Sequence, residues 1–271
     1  MRALRKGLKR RLRDARLARN LRRLGVRELP IELFVEKLRT GEPFAASRFG
    51  DGEWNCILGV EGRNCDDHEY FPELRTELSQ VLEGRPPYLL GLQPGALREP
   101  GARAIQRFLS SRSLDLEWFD SDVFQRAHWE GRFNPFVNAL RERRPLFVGP
   151  RHIRAPLSEI FPRGGFVEIP ALNCFLARGR IETEIQEELH RAGYDVILFS
   201  AGMTTNLLID RLHVEVGERV TLIDLGSIWD VYAGRISRRH FHDDWCDWKE
   251  VMRINTAPAE PQDDGPRTSA P

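Results

Sequence analysis

The chain has 271 residues, 41 Lys and Arg against 40 Asp and Glu, with 41% hydrophobic and 30% charged residues. That composition is too apolar for a disordered chain and too charged for a membrane bundle, and no run of about 18 apolar residues argues for a transmembrane helix. The four cysteines, Cys56, Cys65, Cys174 and Cys246, show neither CxxC nor zinc-ligand spacing. No apolar stretch follows the first charges, so a secretory signal is not expected and a reduced, cytoplasmic setting is.

Residues 1–27 form the first segment, with about a dozen Arg and Lys against one acid, Asp14. Leu4, Leu8 and Leu12 fall on one helical face, and Leu17, Leu21 and Leu24 on another. Such a basic amphipathic helix suits an anionic membrane or a nucleic acid, or is simply a solvated helix lying loosely on the body. Attachment through it would place the protein at the inner membrane surface. The body spans residues 28–255. Strands are expected at 43–47, 88–92, 146–149, 166–169, 195–200 and 220–224. Helices are expected at 71–82, 102–109, 135–143, 181–192 and 203–212, from their 3.6-residue periodicity and Gly/Pro punctuation. Short apolar strands alternating with helices give an α/β fold, a mostly parallel sheet covered by helices on both faces, in one catalytic domain. Residues 256–271, rich in Pro and lacking large apolar side chains, are expected to be a disordered tail.

In such sheets ligands bind beyond the carboxyl ends of strands, and three expected strand ends carry unusual residues. Arg48-Phe49-Gly50-Asp51-Gly52-Glu53 sets two acids among glycines. Such a pair suits a hard cation held by few carboxylates plus substrate phosphates, with Arg48 for a phosphate. It also suits an acidic turn with Glu53 near a helix N-terminus. Ser200-Ala201-Gly202-Met203-Thr204 lies between a strand and a helix. It reads as an anion site of free N–H groups, with Ser200 or Thr204 as the cap. Asp224-Leu225-Gly226 ends the next strand, where an acid bonds a sugar hydroxyl or simply shapes a turn.

Together and in this order, these segments resemble the GT-D type glycosyltransferases, long catalogued as a domain of unknown function. That family has an R-[FY]-G-D-G-E segment carrying a D-x-E metal motif, then a Gly-Pro-Thr-like turn, then Asp-x-Gly. Arg48 to Glu53 matches the first closely; Met203 stands where the second has Pro. Phe147-Val148-Gly149-Pro150-Arg151 and Pro170-Ala171-Leu172-Asn173-Cys174-Phe175 are similar to two further family segments. The resemblance covers roughly Phe44 to Ala233. It implies a Rossmann-like catalytic domain, a nucleotide-sugar donor, foremost a UDP-sugar, a hydroxyl acceptor, and a divalent metal, Mn²⁺ or Mg²⁺. Asp51 and Glu53 would then serve metal and diphosphate, with Asp224 alongside them in catalysis. Arg48, Phe49, Gly50 and Gly52 would line the donor from the first motif, and Arg151, Asn173, Ser200, Gly202 and Thr204 from the later ones. Ser227 replaces the His of one branch, which bears on sugar and acceptor choice.

An inverting transfer needs a base for the acceptor hydroxyl, for which Asp224, Asp230 and His240 are candidates. His152, beside Arg151, also follows a strand. The aromatic run Trp118, Phe119, Phe124, Trp129, Phe133 and Phe136 is either an acceptor platform or core, core being favoured because aromatics mostly bury area. The His240–Asp247 run lacks paired metal spacings and reads as a polar loop. Two other functions stay open: a metal-dependent phosphoesterase, and a nucleic-acid-binding module using the basic segment.

Overall fold

The computed structural model describes residues 2–235 and 246–258, with 2–11 as backbone. In chain order the elements are α1 (Arg2–Arg23), β1 (Val26–Arg27), α2 (Ile31–Thr40), β2 (Ala45–Phe49), α3 (Asp51–Ile57), α4 (Pro72–Glu83), β3 (Leu89–Leu92), α5 (Ala102–Ser111), β4 (Trp118–Asp120), α6 (Val123–Trp129) and α7 (Asn134–Glu142). There follow β5 (Pro145–Pro150), α8 (Arg154–Ile160), β6 (Gly165–Ile169), α9 (Arg178–Ala192), β7 (Val196–Phe199), α10 (Thr204–Val216), β8 (Thr221–Asp224) and α11 (Trp248–Thr256).

The strands form one sheet in the order β1-β4-β3-β2-β8-β7-β5-β6, and every pairing is parallel. Parallel strands bury both faces, so β7 and β8 are buried at every position. Phe44, Ala46, Phe147, Leu198 and Ile223 face the layer of α2, α6, α7 and α8. Ala45, Leu146, Ile197 and Leu222 face α9 and α10, while Leu90 and Trp118 face α3, α4 and α5. The α/β, Rossmann-like expectation therefore holds, with all strands parallel.

Local chemistry sets the boundaries. In α2, Ile31, Phe34, Val35 and Leu38 recur at helical spacing and are buried. Gly41, at φ 74°, closes that helix with its N–H on the Lys37 carbonyl. Pro72 opens α4, whose Leu74, Leu78, Val81 and Leu82 are buried.

The six expected strands and five expected helices are present, with ends shifted by a few residues. Five of the six aromatics are core, Trp118, Phe119, Phe124, Phe133 and Phe136 being at most 2% exposed, which overturns the acceptor platform for them; Trp129 is half-buried. Trp118 and Phe119 lie in β4. At the other end, the carbonyls of Thr256 and Ala257 accept hydrogen bonds from Arg141, so ordered chain extends past residue 255. Residues 259–271 lie outside the described residues, as does His240. Of the His240–Asp247 run only Cys246 and Asp247 are described, and Asp247 caps α11, accepting from the N–H groups of Lys249 and Glu250. The cysteines Cys56, Cys65, Cys174 and Cys246 are unbridged.

Candidate active site

The first half of the chain supplies β1 to β4, the second β5 to β8, and the halves meet where β2 lies beside β8. This is the point in an open α/β sheet where a ligand crevice opens. Arg48, in β2, reaches across it, and its Nη2 lies 3.2 Å from Oδ1 of Asp224 at the end of β8. The same oxygen accepts from the Gly226 N–H at 2.9 Å. Gly226 is required here twice over. Its φ is 55°, and a Cβ would stand 1.9 Å from Arg48 Nη2. Burial raises the Asp224 pKa, opposed by Arg48 and by the Gly226 N–H.

Immediately after β2, Asp51 is exposed at the start of α3. Glu53 turns back, and its Oε2 accepts from the Gly50 N–H at 2.7 Å. A Cβ on Gly50 would push on the ends of the Gln93 and Glu53 side chains, 2.5 and 3.2 Å away. Burial, together with the negative charge of Asp224, raises the Glu53 pKa to about 7, against the pull of its backbone hydrogen bonds and Arg48. Tyr70 lies beside these acids; burial pushes its phenol up to about 12, with Asp51 and Glu53 adding to the rise.

The structure adds a third acidic segment, at the end of β4. Asp120 is buried, paired with Arg126 at 2.7 Å, and accepts from the Asp122 N–H at 3.0 Å. Oδ1 of Asp122 is buried without a hydrogen-bond partner. Burial and the neighbouring Asp120 raise the Asp122 pKa to about 6, while Arg48, Gln93 and Arg126 pull it down. The positive charge of Arg48 therefore acts on Glu53, Asp122 and Asp224, which descend from three different strands, and Arg48 pairs directly with Asp224. Asp122 carries a visible sequence signal, the triplet Asp120-Ser121-Asp122, but only a strand ending at Asp120 gives it a place.

The other loops interlock. The backbone N–H of Asn173, at φ 51°, donates to His68 Nδ1 at 3.0 Å, and its side-chain Oδ1 accepts from the Glu69 N–H at 2.9 Å. The first of these bonds leaves the His68 ring hydrogen on Nε2, the atom nearest the turn at Gly202, whose φ is 53°. Cys174 Sγ donates to the Ala201 carbonyl and lies 3.2 Å from Thr204 Oγ1. Thr205, not Ser200 or Thr204, bonds the turn, its Oγ1 accepting from the Ala201 N–H at 3.2 Å. His152, after β5, donates from Nε2 to Asp230 at 2.9 Å, and its Nδ1 accepts from Arg235.

These positions correct several expectations. The Phe49 side chain is fully buried, edge-on to Trp118 at 5.9 Å, and cannot contact a donor. Thr204 is 2% exposed, its hydroxyl engaged with Cys174, so its expected place against the donor fails on access. Neither it nor Ser200 caps α10. The carbonyl oxygen of the Asn173 side chain is committed to the loop clasp. Gly50 and Gly52 flank the acids. Arg151 and Gly202 are exposed, and Ser200 is half-buried, at neighbouring strand ends.

The turn after β2 brings two carboxylates, Asp51 and Glu53, to the place where the sequence suggests a metal. Among the described residues no group of three or more His, Cys, Asp or Glu side chains is arranged to hold an ion. Asp51 and Glu53 thus fit a hard cation only if a ligand's phosphate oxygens complete its shell, as is usual for Mg²⁺.

Two solved structures share this architecture. One is a selenomethionine-substituted structure of domain of unknown function 1792, with TM-score 0.59 and 18% identity over 80% of this chain and 84% of that one. The other, at TM-score 0.56 and 19% identity with the same coverage, is of that highly conserved domain, described as having a distinct glycosyltransferase fold. The chain therefore shares the fold of that domain, in line with the family its motifs resemble. No family model matches the chain, and no curated protein does.

Proposed function

We propose that the protein is a glycosyltransferase that moves a sugar from a nucleotide-diphosphate donor, foremost a UDP-sugar, to an acceptor hydroxyl. The observation that carries this reading is the meeting, at the β2–β8 junction of a glycosyltransferase fold, of Arg48 with Asp224 beside the Asp51-Gly52-Glu53 turn. Asp51 and Glu53 would hold a divalent cation, Mn²⁺ or Mg²⁺, which neutralises charge on a departing diphosphate. Arg48 adds positive potential at the same edge. Asp224 keeps Arg48 in place. Asp122, half-buried at the same edge and with its pKa raised to about 6 by burial and Asp120, is the candidate to accept the acceptor's proton. A phosphoesterase of the two-metal type asks for more converging ligands than Asp51 and Glu53 provide.

Thermal unfolding with UDP, GDP, CDP or dTDP, each with Mn²⁺ or with EDTA, tests the donor. A ligand at ~100 times its dissociation constant adds about 2.7 kcal/mol. A cation-dependent rise with one nucleotide, absent in Asp51→Asn, is expected. No rise with any of them in folded protein would overturn the nucleotide donor.

A further inference from the structure

The sequence of helix α1 and the turn after it carries two leucine stripes, and the body packs against that of Leu17, Leu21 and Leu24. Leu17, Leu21 and Leu24 are partly buried against the core of α3, α4 and α5. α1 also rests on the turn Pro94–Leu97, which follows Gln93 at the carboxyl edge of the sheet. Leu12 is 63% exposed. Five residues separate it from Leu17, a rotation of about 140° around a helix, so the two cannot share a face. In the sequence, the four-residue spacing of Leu4 and Leu8 continues the stripe of Leu12, not that of Leu17.

Charge accompanies the exposed Leu12. Arg13, Arg16, Arg19, Arg22 and Arg23 are exposed. Among the described residues, Arg13 lies 3.8 Å from Asp14, and no carboxylate of the body is paired with Arg16, Arg19, Arg22 or Arg23. A nucleic acid would use these cations and leave the leucines in water. An anionic bilayer uses both, taking the leucines below the headgroups and the cations at them.

We propose that the first half of α1 lies in the interface of an anionic lipid membrane while Leu17, Leu21 and Leu24 fix its second half to the body. Because α1 leans on Pro94–Leu97, the bound helix holds the carboxyl edge of the sheet, and the candidate site on it, near the lipid surface. This inference stands apart from the reaction, since it needs no donor or acceptor.

Co-sedimentation of the full chain with phosphatidylcholine vesicles, with and without one third phosphatidylglycerol, tests it, with duplex DNA and RNA assayed in parallel. Pelleting is expected with the anionic vesicles alone. Leu8→Asp with Leu12→Asp should lower vesicle binding at least ~10-fold with an unchanged unfolding temperature. Arg13→Gln, Arg16→Gln and Arg19→Gln together should lower it by a similar ~10-fold or more. Three results would overturn the proposal: no pelleting with anionic vesicles, nucleic-acid binding without vesicle binding, or wild-type vesicle binding by the leucine variant.

Discussion

The two sides of the sheet's carboxyl edge are built from opposite chemistry. Around β2, β4 and β8, buried carboxyls crowd one another around two cations, Arg48 and Arg126. Glu53 and Asp122 have raised pKa values, and an oxygen of Asp122 is buried without a partner. Around β6 and β7, polar groups are tied to one another through His68, Asn173, Cys174 and Thr205. Buried charge without full pairing costs stability and is a mark of functional sites. The tied loops give a fixed wall against which such a site works. The difference teaches where to look for chemistry and where for support.

The largest effect should come from Asp51→Asn on the acid side. Asp51 is exposed, so the unfolding temperature should stay within a degree or two while turnover of a nucleotide-sugar drops at least ~10³-fold. Stopped turnover together with unfolding would make Asp51 structural and erase the contrast. Asp122→Asn should lower kcat by about 10²-fold with KM little changed, and should remove the acid limb of the pH profile near 6. An unchanged profile would leave Asp122 without a role as base.

Glu53 sharpens the comparison through pH. Its carboxyl is held at about 7 in the folded chain against an ordinary 4.5. The folded state then binds the proton more tightly, so stability falls as pH rises from about 4.5 to about 7 and is level above that. Glu53→Gln should lose this dependence and unfold at a higher temperature than wild type in alkaline buffer, with no difference in acid. Thermal scans across that range are the check, and parallel curves would show that Glu53 is not strained by its burial.

The legible parts were those with period or punctuation. The strands Val196–Phe199 and Thr221–Asp224 are continuous apolar runs, and α4 repeats its leucines at helical spacing. The Arg48–Glu53 turn stood out because it ends an expected strand and matches a motif of the family it resembles. What stayed hidden depends on distance in three dimensions. β4 has three residues and no period to read, so Asp120 and Asp122 had no strand to end. The Arg48–Asp224 pair joins residues 176 apart. Phe49 and Thr204 sit within motifs yet face inward, and motif matching does not record which way a side chain turns.

On the tied side the smallest effect is expected. Asn173→Ala removes the oxygen that bonds the Glu69 N–H and places Ala at positive φ, which should cost about 1–3 kcal/mol of stability. Turnover at saturating donor should change less than ~10-fold; a loss as large as that of Asp51→Asn would move the chemistry to this side.

The most direct measurement is release of nucleotide from a panel of UDP-, GDP-, CDP- and dTDP-sugars by wild type and Asp51→Asn, with Mn²⁺ and with EDTA. A glycosyltransferase built on this site consumes one donor class with the cation present, and Asp51→Asn does not. Release that is equal in wild type and variant, or absent for every donor in folded protein, would contradict the assignment of the acid-rich side as its active site.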